Sequence, residues 1–323
     1  CIVGLGGLGS VSATLLASMG VGYLRLVDRD IVELSNLHRQ SIYGVDVLGY
    51  PKVEAAAKRL KTLNPYIQTE LHPISLNEET VEETIRGVDI VIDGLDRIGP
   101  RYVLNRACFI QKIPYVFGAA IETYGNLSTI LPGKTPCLEC FMSGLKDEQL
   151  PSCSVVGVHP SILAIISSLQ VSEAIKIILG ETPSLANKLL FCEMTNLSFY
   201  NLEISRRKNC LVCGTDEAPK SIATRTLVES ICGRMGKPAF VITPRKNLAL
   251  NMKKVQHTLE KTGYRIKIGT PLGITFEANE KATLSMLTSG VTIVEGIKDE
   301  TEALKVFKNI MTDNLDIAWA IIE

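Results

Sequence analysis

The chain has 323 residues, enough for one large domain or two of ordinary size, and 46% of them are hydrophobic, so a substantial core is available. Lys plus Arg and Asp plus Glu both number 34, a formal charge of zero, which gives no overall attraction to nucleic acid or to an anionic membrane. No uninterrupted apolar run reads as long enough to span a bilayer, so neither a membrane nor a nucleic-acid partner is expected. The chain opens at Cys1, inside a strand and without an initiator Met, so a preceding segment is expected. Nine Cys, four of them in two C-x-x-C pairs, favour metal binding over a disulfide framework, in a cytoplasmic setting.

Gly4, Gly6 and Gly9 form a G-x-G-x-x-G turn that includes Gly7. Val11, Leu15 and Met19 then recur at helical spacing, and Gly20 suits a helix C-cap. Leu24 to Val27 reads as a short strand ending at Asp28, about twenty residues after the glycines. This is the Rossmann fingerprint. Glycines let a phosphate chain approach the backbone, the helix N-terminus supplies N–H groups, and the carboxylate takes a ribose hydroxyl. Alone it indicates an adenine nucleotide; the same glycines also serve tight strand–helix packing.

After Asp28 the dehydrogenase pattern breaks. Asp30 and Glu33 lead into Ser35-Asn36-Leu37-His38-Arg39-Gln40, and Lys52 opens a helix through Val53, Ala56, Ala57 and Leu60. A dinucleotide needs few cations here, whereas a triphosphate carries about two more charges, which an Arg fork and a Lys point charge hold. Arg39 and Lys52 together therefore tilt the ligand towards ATP, although each singly reads as solvated surface charge. Ile67 to Pro73 is a strand and Glu78 to Ile85 a short helix. Val88 to Asp96 is a buried strand carrying Asp93 and Asp96 at its carboxyl end, where open α/β sheets bind ligands. An Asp there can hold Mg²⁺ on ATP phosphates; the alternative for Asp96 is a cap for the helix Arg101 to Gln111. Tyr115 to Gly118 and Gly125 to Leu131 are strands, the second part of an antiparallel extension.

Cys137-Leu-Glu-Cys140 is matched far downstream by Cys210-Leu-Val-Cys213-Gly214. Two such knuckles suit tetrahedral Zn²⁺, and four thiolates leave no open position, so the role is structural. Cys153 lies in a polar loop before a long apolar helix, Ser161 to Leu179. That position suits a thiolate nucleophile, or equally an ordinary small loop residue. Leu189 to Ile204 holds one or two strands, and Arg206-Arg-Lys208 reads as solvated surface. Residues 1–214 are expected to form one α/β domain, a Rossmann-like, mostly parallel sheet with an antiparallel extension and a zinc-knuckle pair. A linker over 215–235 then leads to a small C-terminal α+β domain over 236–323, with a docking or oligomerisation role expected. There Leu248, Met252, Val255 and Leu259 give a helix, and Asp299 to Glu302 form a capping box for the last one.

The pieces G-L-G-G-L-G, V-D-R-D, S-N-L-H-R-Q, P-K, D-G-L-D, both C-x-x-C pairs and the Cys153 loop occur in one order over about residues 1–214. In that combination the chain resembles the ThiF/MoeB/HesA group of ubiquitin-activating-enzyme-like proteins. The resemblance implies a homodimer that binds ATP·Mg and adenylates the C-terminal carboxylate of a small β-grasp carrier, ubiquitin-like or sulfur-carrying, ending in Gly-Gly. It implies that Gly6, Gly7 and Gly9 approach the nucleotide, Asp28 binds ribose, and Ser35, Asn36, Arg39 and Lys52 surround the phosphates. Asp96 would hold Mg²⁺, the four knuckle cysteines Zn²⁺, and Cys153 would match the conjugating or sulfur-handling Cys. Two departures stand out: Arg97 replaces the Asn usual after the Mg²⁺ Asp, and no acidic residue follows Cys153. The competing readings are a non-catalytic paralogue that recruits the carrier, an NAD-dependent oxidoreductase, and a relative that adenylates a small carboxylate on RNA.

Overall fold

The computed structural model describes residues 1–149, 156–214, 227–234, 237–278 and 282–323. The first of its two sheets contains β1 Ile2–Val3, β2 Tyr23–Val27, β3 Gln68–His72, β4 Val91–Asp93, β5 Tyr115–Ile121, β6 Tyr124–Ile130, β7 Lys188–Glu193 and β8 Ser198–Glu203. Their order is β3-β2-β1-β4-β5-β6-β7-β8. β1 to β5 run parallel, and β6, β7 and β8 add on antiparallel. This is the Rossmann-like sheet with an antiparallel extension that the sequence predicts. The strand order reverses beside β1, between β2 and β4, and that crevice is where such sheets take ligands.

β1 shows why both faces of this sheet are covered. Its two residues point to opposite sides. Ile2 enters a core with Leu8, Leu16, Leu26 and Ile166, and Val3 a second core with Val27, Val91, Leu104 and Phe117. Helices α1 Gly7–Ser18, α2 Lys52–Leu63 and α6 Pro160–Ile178 line the first core. Helices α3 Val81–Ile85, α4 Ile98–Gln111 and the single turn α5 Leu138–Phe141 line the second.

Three sequence expectations are corrected. The buried face of α1 runs through Leu8, Ala13, Leu16 and Ala17; of the residues read at helical spacing only Leu15 packs against the core, part-buried, and Met19 is 59% exposed. Its small polar residues fall on both sides, Ser10 and Ser12 buried and Ser18 exposed, so periodicity could not choose a face. Second, α6 has 19 residues and a mean hydropathy of 1.6, long and apolar enough to cross a bilayer by that measure. It lies in the core here: Ser167 Oγ donates to the Leu8 carbonyl (2.9 Å) and Gln170 Nε2 to the Asp93 carbonyl (2.8 Å). Third, β9 Val228–Arg234 falls within the stretch read as linker, yet it is an edge strand of the second sheet.

That second sheet is antiparallel, ordered β11-β12-β13-β14-β10-β9, with β10 Lys237–Ile242, β11 Arg265–Gly269, β12 Gly273–Glu277, β13 Thr283–Leu287 and β14 Thr292–Glu295. Helices α7 Met252–Lys261 and α8 Glu300–Asn309 cover one face; Asn251 and Asp299 cap them by accepting from the Lys254 and Glu302 backbone N–H groups. The other face offers Val241, Leu287, Val291 and Ile293 to Ile31 of the first region. Hydroxyls tie the two together: Ser289 Oγ donates to the Pro73 carbonyl (2.6 Å), and Ser75 meets Thr243 at 3.1 Å. The second sheet is thus docked beside the carboxyl ends of β2 and β3.

Candidate nucleotide and metal sites

The glycines of the first turn do different jobs. A Cβ on Gly9 would lie 1.8 Å from the Gly4 carbonyl oxygen, and one on Gly4 2.5 Å from that of Gly94. Those two let β1, α1 and the end of β4 close on one another. A Cβ on Gly7 would strike Leu163 of α6 at 2.6 Å. Above Gly6 the nearest atom is Gln40 Nε2, 3.9 Å away, so its outer side is open. The glycine that leaves room for a ligand is therefore Gly6, at the N-terminus of α1.

Asp28 sits over this turn. One oxygen accepts from the Leu5 N–H (2.6 Å) and the other from the Asp30 N–H (2.8 Å), which fixes the carboxylate at the end of β2. Burial pushes its pKa up, against the pull of Lys52. The segment after it folds back on the glycines: Tyr43 Oη donates to the Leu5 carbonyl at 3.0 Å. Ser35 and Asn36 lie on the short 3-10 turn Leu34–Asn36. Asn36 Oδ1 accepts from the Glu33 N–H (3.2 Å), Ser35 Oγ donates to the Glu33 carboxylate (3.1 Å), and the Arg39 guanidinium donates to the Ser35 carbonyl (2.8 Å). Lys52, only 5% exposed at the start of α2, pairs with Asp30 at 2.6 Å. Asp30 is a residue the sequence reading names without a role, though V-D-R-D displays it.

Asp93 and Asp96 separate cleanly. Asp93 is fully buried, bonded by Arg101 (3.0 Å), Tyr115 Oη (2.5 Å) and the Leu95 N–H (2.8 Å). It is a structural anchor with no room for a cation. Asp96 is exposed, just past the Gly94 that abuts Gly4, and no described side chain pairs with it. The helix-cap alternative does not hold: the first N–H groups of α4 (Ile98 and Gly99) donate to Asp147 at 2.7 and 3.2 Å. Among the described residues Asp96 thus has no partner, and a carboxylate is a hard-oxygen donor of the kind Mg²⁺ takes. Its neighbour Arg97 turns to Glu229 of β9 (2.5 Å) and to Asp147 (3.6 Å), and Arg29 joins the same Glu229 at 2.8 Å. Cys153 lies outside the described residues.

The cysteine pairs converge away from this edge. All four sulfurs, of Cys137, Cys140, Cys210 and Cys213, are buried and within 4.8 Å of one another. Cys137 and Cys210 approach to 3.5 Å and Cys140 and Cys213 to 3.3 Å. Four thiolates at about 2.3 Å around one zinc would lie about 3.8 Å apart, so the cluster fits that ion. Hydrogen bonding from Cys137, with Cys140 and Cys210, holds the Cys213 thiol below the usual range, whereas Cys137 is pushed up by the same contact. The run Arg206-Arg-Lys208, read as solvated, helps build the site: Arg206 donates to the Cys213 carbonyl and Arg207 to the Glu139 carbonyl (2.9 Å).

Comparison with known proteins agrees with this architecture. The ThiF family model matches residues 1–213. A sulfur carrier protein adenylyltransferase of Thermus thermophilus is 36% identical over 238 residues, 72% of this chain and 87% of that one. A SAMP-activating enzyme E1 of Haloferax volcanii is 36% identical over 214 residues, 66% and 79% of the two chains. The chain spans about half the length of the mosquito MOCS3 adenylyltransferase and sulfurtransferase proteins it also matches. In fold it is similar to Escherichia coli MccB, with a TM-score of 0.60 at 23% identity, over 67% of this chain and 65% of that one. The glycine turn, the acid at the end of β2 and the matched span agree: the chain belongs to the ThiF family, an enzyme of the adenylyltransferase class.

Proposed function

We propose that this chain uses ATP·Mg to adenylate the C-terminal glycine carboxylate of a small β-grasp, ubiquitin-like or sulfur-carrier protein. The observation that carries the reading is the exposed Asp96, which has no partner among the described residues and lies two residues after the Gly94 that packs on Gly4 of the glycine turn. A dinucleotide needs no metal donor there, and a triphosphate does. The Thermus thermophilus relative is named for acting on a sulfur carrier protein, which supports the choice of substrate.

The chemistry asks little of acid–base groups. A carboxylate oxygen attacks the α-phosphorus, the bond from that phosphorus to the bridging oxygen breaks, and pyrophosphate leaves with the electron pair. No proton moves, because the nucleophile is already ionised. The difficulty is that two anions meet, so cations must offset the repulsion and the charge on the leaving group. Gly6, Gly7 and Gly9 with the first N–H groups of α1 would take phosphate oxygens, and Asp28 the ribose. Ser35, Asn36, Arg39 and Lys52 would surround the phosphates, with Asp30 holding the Lys52 ammonium in place. Bound at Asp96, Mg²⁺ would supply charge neutralisation at the phosphates. The four cysteines would hold a structural Zn²⁺ that staples the segment after β6 to the one after β8. A homodimer, and a second step in which the Cys153 thiolate attacks the acyl-adenylate and releases AMP, complete the reading.

Incubation with ATP, Mg²⁺ and a carrier ending in Gly-Gly from the same source tests it by intact mass. The carrier is expected to gain one adenylyl group with the Cys153→Ala variant and none with Asp96→Ala. A carrier that stays unmodified although the chain binds ATP contradicts it.

A further inference from the structure

Arg97 is an awkward neighbour for a metal-binding carboxylate. A guanidinium next in sequence to Asp96, with a second one, Arg29, close enough for Asp96 to act on its charge, would ordinarily fold onto that carboxylate and form an ion pair. Neither does. Both guanidiniums are drawn to Glu229, which reaches in from β9 of the second sheet, 132 residues along the chain from Arg97. Glu229 Oε2 accepts from Arg29 Nη2 at 2.8 Å and from Arg97 Nη1 at 2.5 Å, and Asp147 holds the other side of Arg97 at 3.6 Å. The Glu229 side chain is 19% exposed, so the contact is partly shielded from water and salt. Burial alone would raise its pKa, and the two arginines more than offset this and keep it below the usual carboxylate range.

We infer that Glu229 is a positioning residue for the cation site: by holding Arg29 and Arg97 away from Asp96, the second sheet keeps the Asp96 carboxylate available to a divalent cation. The inference rests on the reading of Asp96 as the Mg²⁺ donor. It gives the C-terminal region a role in the first region's chemistry beyond covering its surface. It also accounts for how this chain carries Arg97 beside Asp96 at all.

The test is direct binding of Mn²⁺, as a spectroscopic stand-in for Mg²⁺, to the whole chain with a non-hydrolysable ATP analogue, read by electron paramagnetic resonance. Glu229→Gln keeps the shape and removes the charge, so the arginines are released onto Asp96. Its Mn²⁺ affinity is expected to fall about five- to tenfold. Adding Arg97→Asn to Glu229→Gln removes the competitor and is expected to restore most of the affinity, which a merely structural role for Glu229 would not produce. Unchanged affinity in Glu229→Gln overturns the inference, as does a loss that Arg97→Asn leaves unrepaired. Asp96→Asn separates the two claims. If it binds Mn²⁺ as the parent does, the assignment of Asp96 falls, and this inference with it. If it loses Mn²⁺ while Glu229→Gln does not, only the role of Glu229 falls.

Discussion

At the cysteine cluster, four side chains of one kind arrive from segments 73 residues apart and face one another in the core. At the carboxyl edge of the first sheet the groups differ in kind and are already engaged: Lys52 with Asp30, Arg39 with a backbone carbonyl, Arg29 and Arg97 with Glu229. The cluster is closed, and the use proposed for it is to hold an ion that fixes the fold. Among the described residues the edge is half-open and leaves unfilled the space above Gly6 and the carboxylate of Asp96. A staple is built by mutual approach. The reaction site proposed at the edge would be built by occupying every charge except the ones needed.

The largest effect should follow from opening the staple. Removing the metal with a chelator, or Cys137→Ser with Cys210→Ser, is expected to abolish zinc binding and cooperative unfolding of the first region; apparent zinc binding energies are about 10 kcal/mol or more. Atomic absorption and thermal denaturation check this, and a melting curve that ignores both treatments would break the contrast. Next, Asp96→Ala should lower adenylate formation at least about a hundredfold, near 3 kcal/mol, with the melting temperature unchanged, as suits an exposed group with no described partner. The glycines sharpen the comparison within one turn. Gly9→Ala should unfold or strongly destabilise the chain, because its Cβ would meet the Gly4 carbonyl at 1.8 Å, whereas Gly6→Ala should fold normally and bind ATP weakly. Circular dichroism and nucleotide titration distinguish them.

The smallest effect is a control outside both regions. Glu173 of α6 is buried, which raises its pKa, yet Lys176, the Leu185 and Ser184 N–H groups and Thr129 lower it further, to a net value below the usual 4.5. A carboxylate depressed in the folded state adds stability that is complete above the unfolded pKa and is lost as pH falls through the folded one. Glu173→Gln should therefore cost about 1–2 kcal/mol near neutrality, and the gap to the parent should narrow below pH 4.5 in urea titrations.

Sequence alone revealed what residue type and spacing carry. Gly4, Gly6 and Gly9 with Asp28 form a local motif, and two C-x-x-C pairs name their own chemistry, so both regions were visible before any fold. It did not reveal which face α1 buries, because the serines of that helix fall on both its buried and its open side. Nor did it show that Asp93 is an anchor and Asp96 is free, which depends on Arg101 and Tyr115 folding over one and not the other. The Glu229 contact left no trace in the pattern at all, since its partners lie 200 and 132 residues away. Local chemistry was legible, and the long-range pairing that tunes it was not.

The most direct test of the account is exchange of labelled pyrophosphate into ATP by the full-length protein, with and without a β-grasp carrier ending in Gly-Gly. The account predicts exchange that requires the carrier, survives Cys153→Ala and disappears in Asp96→Ala. Demonstrated ATP binding with no exchange for any such carrier would contradict adenylation and leave a protein that recruits a carrier for an active partner.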